Sequence, residues 1–213
     1  MVLSDAKAGM YKKMKEFTSF NFYHNSKSDV LDVILHGGSH GIDSPLMRKV
    51  FAGSKEKEHS VLTFNFPYFE RGEENSSGKE LIEELGTLQK MLDQAKYKDY
   101  LKVRLIAKSL GGIVASFYLD KLSKEESDRF SVVILGYVTG DVRLKNFEGE
   151  ITIIQGEKDK FGGIDVVKKD LAGAKSTKIK LSEVKGADHS YRNPDTKEPI
   201  YEDGVVELVK SVN

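Results

Sequence analysis

The sequence contains no cysteine. That absence excludes disulfides, a thiolate nucleophile and cysteine-ligated metals, and it is compatible with any compartment. Nor is there an excess of charge of one sign: 33 Lys and Arg stand against 33 Asp and Glu, for a formal net charge of zero. The lysines are interleaved with acidic residues and form no basic stripe, which argues against nucleic acid or an anionic membrane as the main partner. No apolar run approaches the length of a membrane span, and the start, Met1-Val2-Leu3-Ser4-Asp5-Ala6-Lys7, has no apolar stretch of signal-peptide length. A cytoplasmic location is therefore expected. No internal repeat, low-complexity tract or linker interrupts the chain.

The 213 residues fit one domain, expected to run over 1–213, long enough to bury a core on both faces of a sheet. Short β-rich runs alternate with longer helical ones. Residues 17–23 alternate weakly and read as an edge strand. Residues 30–35 read as a strand ending at His36-Gly37-Gly38, and residues 61–66 as another, stopped by Pro67, which cannot donate to a ladder. Residues 101–107, 132–135 and 151–154 are nearly continuous apolar runs, the pattern of strands covered on both faces. A last strand is expected over 178–181. Leu81, Ile82, Leu85, Leu88, Met91, Leu92 and Ala95 share one helical face, with Ser77 and Glu80 placed as a capping box. Residues 46–51, 113–122, 164–171 and 205–209 read as further helices. This alternation predicts an α/β fold, a doubly wound, mostly parallel sheet flanked by helices on both faces. The site of such a sheet lies in the crevice at the carboxyl ends of its strands.

The central motif is Leu105-Ile106-Ala107-Lys108-Ser109-Leu110-Gly111-Gly112. A strand ends at Ala107 and a helix begins after Ser109, the strand–turn–helix context of a nucleophile elbow. A serine on so sharp a turn needs small residues two before and two after it. Gly111 meets the second condition, and Ala107 stands where glycine is commonest. An ordinary turn with Ser109 as a helix N-cap fits the same residues. Lys108-Ser109 lacks the upstream glycines of a phosphate-binding P-loop, so nucleotide binding by that motif is rejected.

A serine hydroxyl is a poor nucleophile without an adjacent base, itself oriented by a carboxylate. On an elbow of this kind the acid and then the base follow the serine in the chain. Asp159 is the leading acid, presented by the Gly-containing turn of Ile153-Ile154-Gln155-Gly156-Glu157-Lys158-Asp159; Glu157 and Asp165 are possible substitutes. His189 is the one histidine downstream of Ser109, in a loop between the last strand and the final helix. The oxyanion donors would be the N–H of Leu110 and one from the loop His36-Gly37-Gly38-Ser39-His40-Gly41, Gly38 first and Ser39 second. A plain Gly-rich connection accounts for that loop equally. His36 and His40 have no further ligand at metal spacing, so no metal site is expected. Tyr68, Phe69 and Tyr137, with Ser39, are expected to wall the substrate pocket. Arg71 reads as a solvated arginine or a contact for an anionic group, and Lys108 faces either solvent or the site.

Taken in order, these blocks resemble the α/β-hydrolase superfamily over residues 29–213, and more narrowly a small, cap-less branch with features of dienelactone hydrolases. The chain resembles in particular the hydrolase-like family of a testis-expressed protein and the third subunit of the non-specific-lethal acetyltransferase complex. Its blocks are His36-Gly37-Gly38 with Ser44-Pro45 behind it, Phe64-Asn65-Phe66-Pro67-Tyr68, Lys108-Ser109-Leu110-Gly111-Gly112, Leu135-Gly136-Tyr137, Gln155-Gly156-Glu157-Lys158-Asp159 and Ala187-Asp188-His189. Ala107 in place of glycine, Val138-Thr139-Gly140-Asp141 where that family tends to be proline-rich, and residues 1–16 depart from it. The resemblance implies an α/β-hydrolase fold without a cap domain.

The expected function is that of a serine hydrolase cleaving a carboxylic ester or thioester through an acyl-enzyme, with Ser109, Asp159 and His189 as the triad. No cofactor is required, and the partner is a small-molecule ester or acyl substrate. Acyl transfer or peptide hydrolysis uses the same parts. The alternative is a hydrolase-fold interaction module with little or no catalysis, since a fold does not fix a function.

Overall fold

Seven strands form one sheet in the computed structural model, which describes residues 18–73 and 75–212. They are β1 (Phe20–Tyr23), β2 (Val30–Leu35), β3 (Ser60–Phe64), β4 (Lys102–Lys108), β5 (Phe130–Leu135), β6 (Glu150–Gly156) and β7 (Ile179–Val184), in the spatial order β1-β3-β2-β4-β5-β6-β7. β1 runs antiparallel to β3, and every other neighbouring pair is parallel. The sheet is thus the mostly parallel one that the strand–helix alternation predicts. Phe17, the expected start of the edge strand, lies outside the described residues, as do residues 1–16.

The helices are α1 (Pro45–Glu56), α2 (Pro67–Glu70), α3 (Ile82–Gln94), α4 (Leu110–Leu119), α5 (Lys124–Ser127), α6 (Ile164–Asp170) and α7 (Glu202–Lys210). The period of two along each strand splits the apolar runs between two cores. Val33, Leu35, Leu105, Ala107, Val132, Ile134 and Ile153 pack with Leu88, Met91 and Leu92 of α3 and Val114 and Ala115 of α4. Ile34, Ile106, Val133, Leu135 and Ile154 pack on the opposite face with Leu46, Met47 and Val50 of α1 and Val205 and Val209 of α7. Because both faces are covered, the central strands have no solvent-facing side, and their sequences read as nearly continuous hydrophobic runs.

Several local expectations change in the structure. Ser77 does not form a box with Glu80, because α3 starts only at Ile82 after Leu81 in a left-handed conformation, leaving Glu80 outside the first turn. Ser77 Oγ instead accepts from the Glu83 N–H at 3.2 Å, and the buried Glu84 carboxylate reaches back to the Ser77 N–H at 2.9 Å. The short α2 and α5 were not expected. α5 is defined by its own capping box, Ser123 with Glu126. The β5–β6 connection, residues 136–149, carries no helix, so no cap is inserted there. Among the described residues no helix is long and apolar enough to cross a membrane.

At the amino ends of the strands lies a buried ion pair. The parallel register sets Asp32 of β2 beside Arg104 of β4. The guanidinium donates to both carboxylate oxygens, at 2.7 and 2.9 Å, and also to the Val212 carbonyl, tying the C-terminal segment to the sheet.

Candidate active site

β4 delivers Ser109 to the carboxyl edge of the sheet. Its backbone lies at φ 51°, ψ −114°, a region that costs a non-glycine residue about 1–3 kcal/mol, and its side chain caps nothing. The N-cap account of this serine therefore fails. The tightness of the elbow is enforced by Gly111: a Cβ there would lie 2.7 Å from the carbonyl oxygens of both Leu35 and His36. Those atoms are main chain and cannot move aside, so α4 approaches the end of β2 only with glycine at this position. Ala107 is fully buried two residues before the serine.

His189 arrives on the loop after β7. Its Nε2 is 2.8 Å from Ser109 Oγ and its Nδ1 is 2.7 Å from Asp159 Oδ2. A carboxylate only accepts, so Nδ1 carries the proton and Nε2 presents a lone pair to the serine hydroxyl. The other oxygen of Asp159 accepts from the Phe161 N–H at 2.9 Å. Burial lowers the His189 pKa most; Asp159 opposes that shift and the Lys108 charge adds to it, leaving the imidazole neutral at pH 7. The substitute acids are elsewhere. Glu157 accepts from the Gly186 N–H at 2.8 Å, and Asp165 pairs with Lys168 on the exposed face of α6.

The His189 loop is held by side chains bonded to main-chain groups. Asp188 Oδ1 accepts from the N–H groups of Ser190 and Arg192, at 2.8 and 2.9 Å, and the Tyr191 hydroxyl donates to the Ile154 carbonyl at 2.6 Å. Tyr191 sits at φ 59°, a left-handed conformation that turns Arg192 back toward the cleft. Gly136, at φ +71°, lies where a Cβ would come 2.9 Å from Lys108 Nζ and 3.0 Å from His189 Cε1, so any larger residue would collide with both.

Opposite the serine, the loop after β2 is fixed by His36, which is buried completely. Its Nε2 accepts from the Phe66 N–H at 2.9 Å, so its Nδ1 carries the proton and donates to the Gly37 carbonyl at 2.7 Å. Burial lowers its pKa to about 4, and the ring is neutral. The Tyr68 hydroxyl donates to the same carbonyl at 3.0 Å. Because a trans peptide sets C=O and N–H on opposite sides, turning the Gly37 carbonyl inward aims the Gly38 N–H outward, into the cleft that Gly38 lines. Across from it, the Leu110 N–H is the first of α4 and has no intrahelical acceptor. Gly38 itself has open space where a Cβ would be, so it is the peptide's orientation that matters there, and the crowded glycine of the loop is Gly41.

The cleft beside Ser109 has a volume of about 140 Å³, and Ser39 forms part of it while also hydrogen-bonding His40 Nδ1 at 2.9 Å. Phe69 lines a neighbouring hollow with Gly38 and Ser39. Two expected wall residues are elsewhere. Tyr68 is fully buried under the loop, its hydroxyl used by Gly37, and burial raises its pKa. Tyr137 is also buried, with its hydroxyl on Asp170 at 2.8 Å and its N–H on Gln155 at 2.7 Å. Both tyrosines follow strand ends closely, but the chain turns their rings into the first core. Arg71 is paired with Glu73 and Glu83, both at 2.7 Å. Lys108 faces the cleft.

Sequence reasoning passed over Phe161, whose ring meets the imidazole edge-on at 4.8 Å, and Gln155, whose buried amide holds the acid turn by donating to the Gly162 carbonyl at 2.7 Å. Phe161 stands two residues after Asp159, which is the signal the sequence offers.

A sequence model of the alpha/beta hydrolase domain matches residues 28–212. The chain belongs to the alpha/beta hydrolase family. No curated protein matches this family member by sequence. In structure the hydrolase domain is similar to a putative alpha/beta hydrolase of unknown function, ATU1826 from Agrobacterium tumefaciens, with TM-score 0.68, 18% identity, and coverage of 90% of this chain and 87% of that one. It is similar also to Est1E from Butyrivibrio proteoclasticus, solved with ferulic acid bound, at TM-score 0.67 and 14% identity over 91% of this chain and 92% of the other. A third is XC6422 from Xanthomonas campestris, described as an α/β serine hydrolase without lid, at TM-score 0.66 and 14% identity over 90% and 86% of the two chains. At these identities the likeness is one of fold.

Proposed function

We propose that this alpha/beta hydrolase is a serine hydrolase that cleaves a small carboxylic ester or thioester through an acyl-enzyme. The observation that carries the reading is the unbroken relay Asp159–His189–Ser109, at 2.7 and 2.8 Å, ending on a serine whose strained backbone lifts its hydroxyl into the cleft. In the proposed reaction His189 Nε2 takes the Ser109 proton as Oγ attacks the acyl carbon. The Asp159 carboxylate holds the proton on Nδ1 and stabilises the imidazolium so formed. The N–H groups of Gly38 and Leu110 stabilise the oxyanion, His189 returns its proton to the leaving alkoxide or thiolate, and a water repeats the sequence to release the acid. Every proton in this scheme moves through a group already in hydrogen-bond reach, and no cofactor enters it. Support of a coarser kind comes from the family and from esterase and serine-hydrolase neighbours of the same fold.

The test is labelling with a fluorophosphonate probe. Wild type is expected to be labelled stoichiometrically and Ser109→Ala not at all. Labelling that is absent in the wild type favours the non-catalytic interaction module, and labelling that survives the substitution assigns the nucleophile elsewhere.

A further inference from the structure

Phe161 touches both the acid and the base of the relay, although no proton passes through it. Its N–H donates to Asp159 Oδ1 at 2.9 Å, which leaves Oδ2 to face His189. Its ring meets the imidazole at 4.8 Å between centroids with the planes at 72°, the edge-to-face arrangement that the charge distribution of aromatic rings favours. Phe161 is not among the residues that line the cleft beside Ser109, so its contact is with the histidine rather than with a substrate. The chain around the ring is fixed from two other places. Thr139 Oγ1, on the β5–β6 connection, donates to the Phe161 carbonyl at 2.8 Å. The buried Gln155 amide donates to the Gly162 carbonyl at 2.7 Å and accepts from the Tyr137 N–H at 2.7 Å. The β5–β6 connection and the acid turn are thereby tied together, and the Phe161 ring is held against the base.

We propose that Phe161 is a positioning residue of the relay: its ring keeps the His189 imidazole between Asp159 and Ser109 and stabilises the imidazolium formed there, while the Thr139 hydroxyl holds the ring in place. The inference rests on the serine-hydrolase reading for its bearing on turnover, though not for the contact itself. A neutral imidazole offers the ring only a weak dipole. Taking the serine proton adds a full positive charge, so the aromatic contact strengthens as the transition state forms. The surroundings make that contribution matter. His189 is largely withdrawn from water, and the charges acting on it conflict: Asp159 favours the imidazolium, while Lys108 of β4 and Lys160 of the acid turn oppose it. Asp188, on the histidine's own loop, is engaged with the N–H groups of Ser190 and Arg192. Phe161 itself carries no charge, so a change in the basicity of His189 when the side chain is replaced reports on the ring.

The test measures the His189 pKa directly, by NMR titration of its ring C–H protons, beside kcat and KM on a small aryl ester. Phe161→Leu keeps an apolar side chain without a ring. It should lower the pKa by about half a pH unit, because a group favouring the cation is lost, and lower kcat about tenfold with KM within about twofold. Phe161→Tyr keeps the ring and should restore both. Thr139→Val should lower kcat about threefold and shift the pKa in the same direction. The Lys160 ammonium lies 5.0 Å from the centroid of the same ring, so Phe161→Leu is titrated also with Lys160→Gln in place, where a displaced ammonium cannot imitate the loss of the ring. A pKa that stays or rises in Phe161→Leu, or a Phe161→Tyr that behaves like it, overturns the inference. So does a loss of kcat with an unmoved pKa, since packing alone explains that. An unchanged Thr139→Val overturns the anchoring role of the hydroxyl, and it decides the whole inference if Phe161→Leu fails to fold by circular dichroism. Fluorophosphonate labelling of wild type separates the failures: a lowered pKa without labelling removes the catalytic reading and keeps the contact, and labelling with an unmoved pKa does the reverse.

Discussion

Two Asp–His pairs lie at opposite ends of the same sheet, and comparing them shows how the third partner sets what a carboxylate touching an imidazole can do. At the carboxyl end Asp159 meets His189 at 2.7 Å, and at the amino end Asp32 meets His59 at 3.1 Å. Burial does not separate them, since the two imidazoles are 14% and 13% exposed and both carboxylates are fully buried. The difference lies in the third partners. Asp32 is forked by Arg104, so its charge is cancelled inside the protein. Asp159 takes a neutral main-chain N–H on its second oxygen and keeps its charge for His189, whose far nitrogen meets a serine hydroxyl at the cleft. One end of the sheet holds a closed ion pair that fastens the chain, and the other holds an open relay.

The comparison breaks or sharpens under substitution, and the largest effect is expected at Asp159. Asp159→Asn should lower kcat on a small aryl ester by roughly 10³–10⁴-fold, because the amide no longer holds the proton on Nδ1, while thermal unfolding stays close to wild type. A loss under about tenfold would make the two pairs equivalent. Asp32→Asn should do the opposite. It leaves the buried Arg104 charge unpaired and should lower the free energy of unfolding by about 3–5 kcal/mol in a denaturant titration, with fluorophosphonate labelling per folded molecule unchanged.

The pairs should also part company with pH. His189 must be neutral to act as a base, and burial depresses its pKa. On lowering the pH, kcat/KM should therefore hold through the ordinary histidine value of about 6.5 and fall about tenfold per unit only below the depressed value. For Asp32, burial alone would raise the pKa, but the hydrogen bonds from His59 and Arg104 outweigh it and hold the carboxyl below its usual range. Its contribution to stability is fully present above the unfolded value of about 3.9 and is lost as the pH falls through the lower folded value. Urea midpoints that drop over the same pH range as activity would join what the structure separates. The smallest effect is expected at Tyr68. Tyr68→Phe removes one of the two donors to the Gly37 carbonyl and should lower kcat/KM about three- to tenfold with little change in KM, whereas an unchanged kcat would show that His36 alone orients the peptide.

The parts of the site legible in the sequence were those fixed by local rules. Ser109 sits between a strand and a helix with Gly111 two residues on, Asp159 follows the end of a buried strand, and His189 is the sole downstream histidine. Tyr68 and Tyr137 show where those rules stop. Each lies just past a strand end, where the chain offers a side chain equally to the cleft or to the core, and the choice depends on the His36 loop in one case and on Asp170 in the other. Arg192 gave no signal, because nothing in Ser190-Tyr191-Arg192 announces a left-handed tyrosine that reverses the side-chain direction.

The sequence by itself determined the order of strands and helices, the two-sided burial of the central strands and the order of the three relay residues. These depend on periodicity, on turn-forming residues and on chain order, all of them local. Only the tertiary structure decided that Asp32 falls beside Arg104 and that Gly111 is pressed against two carbonyls. The same holds for Lys108 and Arg192, which share one cleft although they are far apart in the chain. Those facts follow from strand register and close packing, which act between residues many tens of positions apart and are fixed only once the sheet has closed around its cores.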